Sequence, residues 1–133
     1  MYSKKVLQNF YKPKNFGEIK NPDAVGKVGN TVCGDVIWVY LKIEKGIIKD
    51  IKFKTFGCVA AIATSSMLTQ LAKGKTIAEA QKITDKDIVD SLDGLPPIKH
   101  HCSLIANKAL QDALAAYQEK EPNEKSNKKT ETR

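Results

Sequence analysis

The sequence predicts an α+β fold: a small antiparallel sheet of about three strands covered by helices, with an N-terminal helix and a long C-terminal helix. Three observations carry this. Residues 36–56 hold two stretches in which apolar and polar side chains alternate, the pattern of strands with one wet face. After Gly57 the apolar residues recur at helical spacing instead. The resulting order of helix, strands and then helices segregates the two kinds of element, as α+β domains do. A length of 133 residues with 41% apolar content suits one domain around one core.

Taken in order, Ser3 is placed to cap a short helix in which Val6, Leu7 and Phe10 share a face, and Pro13 stops it. Residues 15–34 are rich in Gly, Asn and Pro, with Asn21-Pro22-Asp23 as a turn; a short strand fits around Val25–Val32. Val36–Ile43 is β-branched and aromatic, and Ile37, Val39, Leu41 and Ile43 alternate onto one face. Glu44-Lys45-Gly46 turns the chain, and Ile47–Phe56 sets Ile47, Ile51 and Phe53 against Asp50, Lys52 and Lys54. Ala61, Ile62, Ser65, Leu68 and Leu71/Ala72 then follow helical spacing up to Gly74. Thr76…Glu79 and Thr84…Asp87 have the spacing of capping boxes, predicting short helices near 77–82 and 85–91. Leu95-Pro96-Pro97 cannot be helical, because proline restricts itself and its predecessor. Ser103–Tyr117 is the last and clearest helix. Residues 119–133 contain no apolar side chain, so the folded domain is expected to span 1–117, with 118–133 a disordered charged tail.

The net charge of +7 raises the question of nucleic acid. Residues 1–14 contribute four lysines and no acid, whereas residues 15–117 have 13 lysines against 11 acids. A phosphate-binding surface is expected on the folded body with interleaved aromatics, so nucleic acid is not expected as the partner. No run approaches the roughly 18 apolar residues of a membrane span, and Lys4 and Lys5 lead into no signal-peptide core. A cytoplasmic protein that does not engage membranes is the expectation, and its three cysteines should be reduced.

Those cysteines occupy similar places. Cys33 lies in Thr31-Val32-Cys33-Gly34-Asp35, entering the first strong strand; Cys58 follows the second strand at the start of a long helix; Cys102 opens the last helix. A lone cysteine is more often a small buried hydrophobe than a ligand. Filler, however, belongs inside helices and strands, and all three fall at loop ends beside glycine or polar neighbours. Helix N-termini favour thiolate, so Cys58 and Cys102 are predicted to be primed by the backbone. Asp35 and His101 stand close to Cys33 and Cys102 in the chain. There is no C-x-x-C, so this is not a zinc ribbon; three thiolates completed by Asp or His remain the best chemical reading.

Val32-Cys33-Gly34-Asp35, Lys54-Thr55-Phe56-Gly57-Cys58 and Leu95-Pro96-Pro97-Ile98-Lys99-His100-His101-Cys102-Ser103 occur in the order and spacing of the IscU/NifU-type iron–sulfur cluster assembly scaffold proteins. The chain resembles the short IscU form: the likeness runs from about Tyr2 to Tyr117 and lacks the insertion of the SufU branch. It departs in having Val59-Ala60 where the family usually has Gly-Ser, and His100 where it has an apolar residue.

The resemblance implies a scaffold and not an enzyme. It would accept sulfur from a cysteine desulfurase and iron from an iron donor, build a transient 2Fe–2S cluster, and pass it to apo iron–sulfur client proteins. Cys33, Cys58 and Cys102 would be ligands, with Asp35 and His101 (rather than His100) exchangeable ones, and Cys102 would be the persulfide acceptor. Leu95, Pro96, Pro97, Ile98 and Lys99 would be the segment gripped by an Hsp70-type chaperone, with its co-chaperone. Three soft ligands leave one coordination position to a harder, more labile donor, which suits a carrier that must let go. Zinc fits the same donors, so zinc in the apo form is expected, and a small structural or regulatory zinc protein is the alternative. A thiol enzyme with Cys102 as nucleophile and His101 as base is disfavoured, because adjacent side chains usually point apart.

Overall fold

A computed structural model describes residues 2–30 and 35–120. Helix α1 spans Lys4–Tyr11, and the Ser3 hydroxyl accepts the Val6 N–H at 3.1 Å as its cap. Strands β1 (Ala24–Asn30), β2 (Asp35–Glu44) and β3 (Ile47–Phe56) form one antiparallel sheet in the order β1-β2-β3. Helices α2 (Val59–Ala72), α3 (Ile77–Gln81) and α4 (Asp85–Ser91) follow, then a 3₁₀ turn (Pro97–Lys99) and α5 (His100–Lys120). The α+β fold is the expected one.

The β2–β3 hairpin turns at Lys45 (φ 54°) and Gly46 (φ 76°), two left-handed residues whose twist matches the strands they join. Ile37, Val39, Leu41 and Ile43 of β2 are all buried, as their alternation predicts. On β3 the expectation for Ile47 fails. Lys42 pairs with Asp50 but Ile43 pairs with Ile48, leaving Lys49 as an extra residue. This bulge reverses the side-chain parity before Asp50, so Ile48 is fully buried and Ile47 is 42% exposed. In α1 the inward positions are Val6 and Asn9, while Leu7 faces solvent. Asn9 is tolerated inside because both ends of its amide find partners: Nδ2 donates to the Lys5 carbonyl, and Oδ1 accepts from Ser66 Oγ and Gln70 Nε2, both at 2.7 Å.

Helix α2 is the centre of the molecule. It packs against α1, α5 and β3, and so buries Ala60, Ala61, Ala63, Thr64, Ser65, Ser66, Leu68 and Thr69 around most of its circumference. Ile62 and Leu71, expected inside, are only partly buried. Both capping boxes form, with Thr76 reciprocally bonded to Glu79 and Thr84 to Asp87. The last helix starts three residues earlier than Ser103, because Pro97 opens a 3₁₀ turn that runs straight into it, a first-turn position where proline fits. It also continues to Lys120, past Tyr117; residues 121–133 of the expected tail lie outside the described residues. Among the described residues no helix is long and apolar enough to cross a membrane.

Helix α5 lies directly on β1. A β-carbon on Gly26 would meet the Ala109 carbonyl oxygen at 2.0 Å and the Ala113 nitrogen at 2.8 Å, so only glycine lets backbone touch backbone here. This contact seats the middle of α5 on β1, seven to eleven residues after Cys102 on the same helix. Gly26→Ala should therefore lower stability by at least about 1–3 kcal/mol, the usual cost of overpacking a fitted interface. Gly29→Ala, whose β-carbon would meet nothing closer than 3.7 Å, should cost clearly less. Urea denaturation of the two variants checks this; equal losses would contradict it.

Candidate metal centre

Three chain segments meet at one end of the sheet. Asp35 begins β2, next to the Val36–Phe56 pair that closes the β2–β3 ladder. Gly57 and Cys58 join β3 to α2, and Cys102 lies in the first turn of α5. Asp35 is 3% exposed and Cys102 fully buried, while Cys58 is partly open to solvent. Cys58 occupies the N-cap position of α2 but makes no capping bond, which leaves its sulfur free to face Asp35 and Cys102.

The spacings are 3.8 Å between the two sulfurs, 3.9 Å from Cys58 Sγ to Asp35 Oδ2 and 3.7 Å from Cys102 Sγ to the same oxygen. Two sulfurs bound about 2.3 Å from one tetrahedral ion lie about 3.8 Å apart, so these donors already stand roughly as they would around a single cation. Soft sulfur with carboxylate oxygen suits zinc or ferrous iron better than magnesium or calcium. Cys33, expected as the third sulfur, lies outside the described residues.

The two histidines part company. His100 Nε2 lies 2.9 Å from the Leu95 carbonyl oxygen, tying the segment before α5 to the helix. His101 Nε2 lies 3.6 Å from Cys102 Sγ, within reach of the same pocket. The expectation that adjacent residues 101 and 102 point apart therefore fails: in this first turn the imidazole folds back over the neighbouring thiol.

The electrostatic expectation for Cys102 is reversed. Burial raises the Cys102 thiol pKa well above its ordinary value, and the neighbouring Cys58 and Asp35 add to the effect. A helix N-terminus favours an anion by about 0.3–1 kcal/mol, whereas full burial shifts a pKa by several units, so burial wins. The Cys102–His101 pair is consequently a poor nucleophile–base couple. A bound cation is what would turn this thiol into a ligand thiolate.

Two neighbours do more at the pocket than the sequence alone predicts. Lys99, read only as part of a partner-binding segment, feels the pocket: Cys58 first, then Tyr2, with smaller contributions from Cys102 and Asp35, holds its ammonium pKa above the ordinary value. Gly57 does more than turn the chain. A β-carbon there would come 2.7 Å from Asp35 Oδ1 and 2.9 Å from Ala61 Cβ, so its bare backbone makes room for the carboxylate. Glycine beside Cys58 was the available signal.

A family model described as "NifU-like N terminal domain" matches residues 1–124. The chain is 55% identical over 117 residues to iron-sulfur cluster assembly scaffold protein IscU 1 of Archaeoglobus fulgidus, covering 88% of this chain and 76% of that protein. It is 45% identical over 123 residues to the IscU scaffold protein of Escherichia coli K12, covering 90% and 95% of the two chains. The crystal structure of an N-terminal NifU-like protein from Brucella abortus superposes with a TM-score of 0.70 at 22% identity, over 89% of this chain and 94% of that one, a likeness of fold.

Filling the space beside Asp35 should loosen the donor set. Gly57→Ala is expected to weaken zinc or ferrous binding about 10–100-fold, as loss of support behind a ligand does. Competition with a chromogenic chelator measures this, and unchanged affinity would mean that Asp35 is not held by that gap.

Proposed function

The chain belongs to the NifU-like N-terminal domain family, and from that membership we propose that it works as an iron–sulfur cluster assembly scaffold, with the cluster as its cargo. The observation that carries the reading is the convergence of Asp35, Cys58 and Cys102, whose donor atoms all lie within 4.8 Å of one another. Relatives at 45–55% identity over most of their length are named as IscU scaffold proteins.

The cargo is a 2Fe–2S unit in this proposal, bound by Cys33, Cys58 and Cys102 with Asp35 or His101 as the exchangeable donor. The described donors stand close enough for one ion. A second iron needs ligands of its own, which calls on Cys33 and on a widening of the pocket. Four thiolates would hold such a cluster permanently; an oxygen or nitrogen donor in one position makes it transferable.

Sulfur arrives in this scheme by thiol exchange. A thiolate attacks the outer sulfur of a persulfide on a cysteine desulfurase, the S–S bond there breaks, and the desulfurase thiolate leaves. Cys102 is the proposed acceptor, and its burial requires the pocket to open first. His101, 3.6 Å from the thiol, ends the segment that would have to move in this scheme, and the same segment carries the proposed grip for an Hsp70-type chaperone. Ile98 is 78% exposed and available to a partner, whereas Leu95 is only 8% exposed and the chain is extended only as far as Pro96. Gripping Leu95–Lys99 as one extended peptide therefore means unwinding the 3₁₀ turn and drawing Leu95 out. The two events share one movement. The iron donor and the apo-protein clients complete the scheme, set in a cytoplasm that keeps the thiols reduced.

Anaerobic incubation with Fe(II), cysteine and a desulfurase should give visible cluster absorption, followed by transfer to an apo-ferredoxin. Absence of absorption, with zinc bound stoichiometrically and irreplaceably, would favour the structural zinc protein. Asp35→Ala should slow cluster release severalfold while assembly survives, because the labile donor is gone; faster release would contradict its role. In Cys102→Ser, sulfur loading should disappear from the intact mass of the scaffold after incubation with desulfurase and cysteine, and unchanged loading would move the acceptor elsewhere.

A further inference from the structure

The lysine-rich N-terminal segment acquires a shape in the fold. Lys4, Leu7, Gln8 and Tyr11 lie three and four residues apart, on the side of α1 away from buried Val6. Together with Lys12, Lys14, Asn9 and Gln70 they line an open groove of about 600 Å³. No acid lines it, and among the described residues none of its three lysines stands in an ion pair. Tyr11 is 74% and Leu7 37% exposed between these charges. The floor is firm, because Asn9 is locked to Ser66 and Gln70 of α2.

The charge spacing discriminates between occupants. Lys4 and Lys12 are eight residues apart, about 12 Å along the helix, too far to converge on one phosphate. That separation instead matches carboxylates two turns apart on a facing helix, with apolar side chains between them to cover Leu7 and Tyr11. The groove also stands off from the metal centre: Gln70 is twelve residues, about 18 Å, along α2 from Cys58. A partner held there leaves the donor pocket open.

We propose that this groove docks an acidic amphipathic helix of a partner protein, with carboxylates on Lys4 at one end and on Lys12 and Lys14 at the other, and apolar side chains on Leu7 and Tyr11. The proposal does not rest on the scaffold reading, since neither the groove nor its test involves metal or sulfur.

The test is a fluorescence anisotropy titration of the full chain with a labelled helical peptide built from Glu, Leu and Ala. The triple change K4E, K12E and K14E should weaken binding at least about tenfold, with the salt dependence of wild-type binding largely lost. Leu7→Ser should weaken it severalfold, whereas K86E with K108E, on exposed lysines that do not line the groove, should leave it unchanged. On wild-type protein, peptide-induced amide shifts should centre on Leu7, Tyr11 and Lys12. Shifts centred on the sheet or around Cys58 would overturn the proposal, as would indifference to Leu7→Ser. Tighter binding of phosphatidylserine vesicles or of an oligonucleotide, lost in the same triple variant, would overturn it in favour of a membrane or nucleic acid.

Discussion

Placing a carboxylate that is 3% exposed against two thiols is the constraint on which this molecule turns. Charge removed from water is costly unless a partner charge or hydrogen bonds compensate it. Here the neighbours are sulfurs at 3.7 and 3.9 Å, themselves latent anions. A cation satisfies all three groups at once, and burial, with Cys58 and Asp35 beside it, holds the Cys102 thiol above its ordinary pKa. The lysine beside the pocket acts in the same direction as a cation but from its rim, since Lys99 remains in contact with solvent.

The rest of the fold is the means of holding that arrangement. The β2–β3 ladder sets Asp35 beside the β3–α2 joint, and Gly57 removes the β-carbon that would collide with the carboxylate. Helix α2, wrapped on most sides, fixes Cys58 from the core outward. Helix α5, which carries Cys102, is seated on β1 by its backbone contact with Gly26. All three donors therefore stand on packed elements. The segment just ahead of Cys102 is tied to α5 by the His100–Leu95 contact. In the proposed scheme it is this segment that moves when the cargo is given up.

Much of this was legible in the residues. The alternation in Val36–Ile43 and the two capping boxes report local physics directly, and tertiary packing only reinforced them. Three ordered motifs pointed to the family, and three residues they contain, Asp35, Cys58 and Cys102, meet in the fold. What was not legible depended on non-local facts. A bulge at Lys49 exchanged Ile47 for Ile48, and nothing in an apolar Ile-Ile pair says which one faces inward. Asn9 displaced Leu7 from the interior because Ser66 and Gln70, more than fifty residues away, satisfy its amide. The helix terminus by itself predicts a primed Cys102 thiol, whereas burial and neighbours from two other segments set its chemistry. The groove on α1 was visible only as a surplus of lysine.

In the proposed site Asp35, Cys58 and Cys102 close on one metal ion. X-ray absorption of the protein loaded with a single equivalent of zinc reads that shell. The expected spectrum is of a four-coordinate ion with at least two sulfurs at about 2.3 Å, the remaining shell being oxygen or nitrogen at about 2.0–2.2 Å. A shell of oxygen and nitrogen alone, or one that keeps its sulfurs unchanged when Cys58 and Cys102 are both replaced by serine, would contradict it.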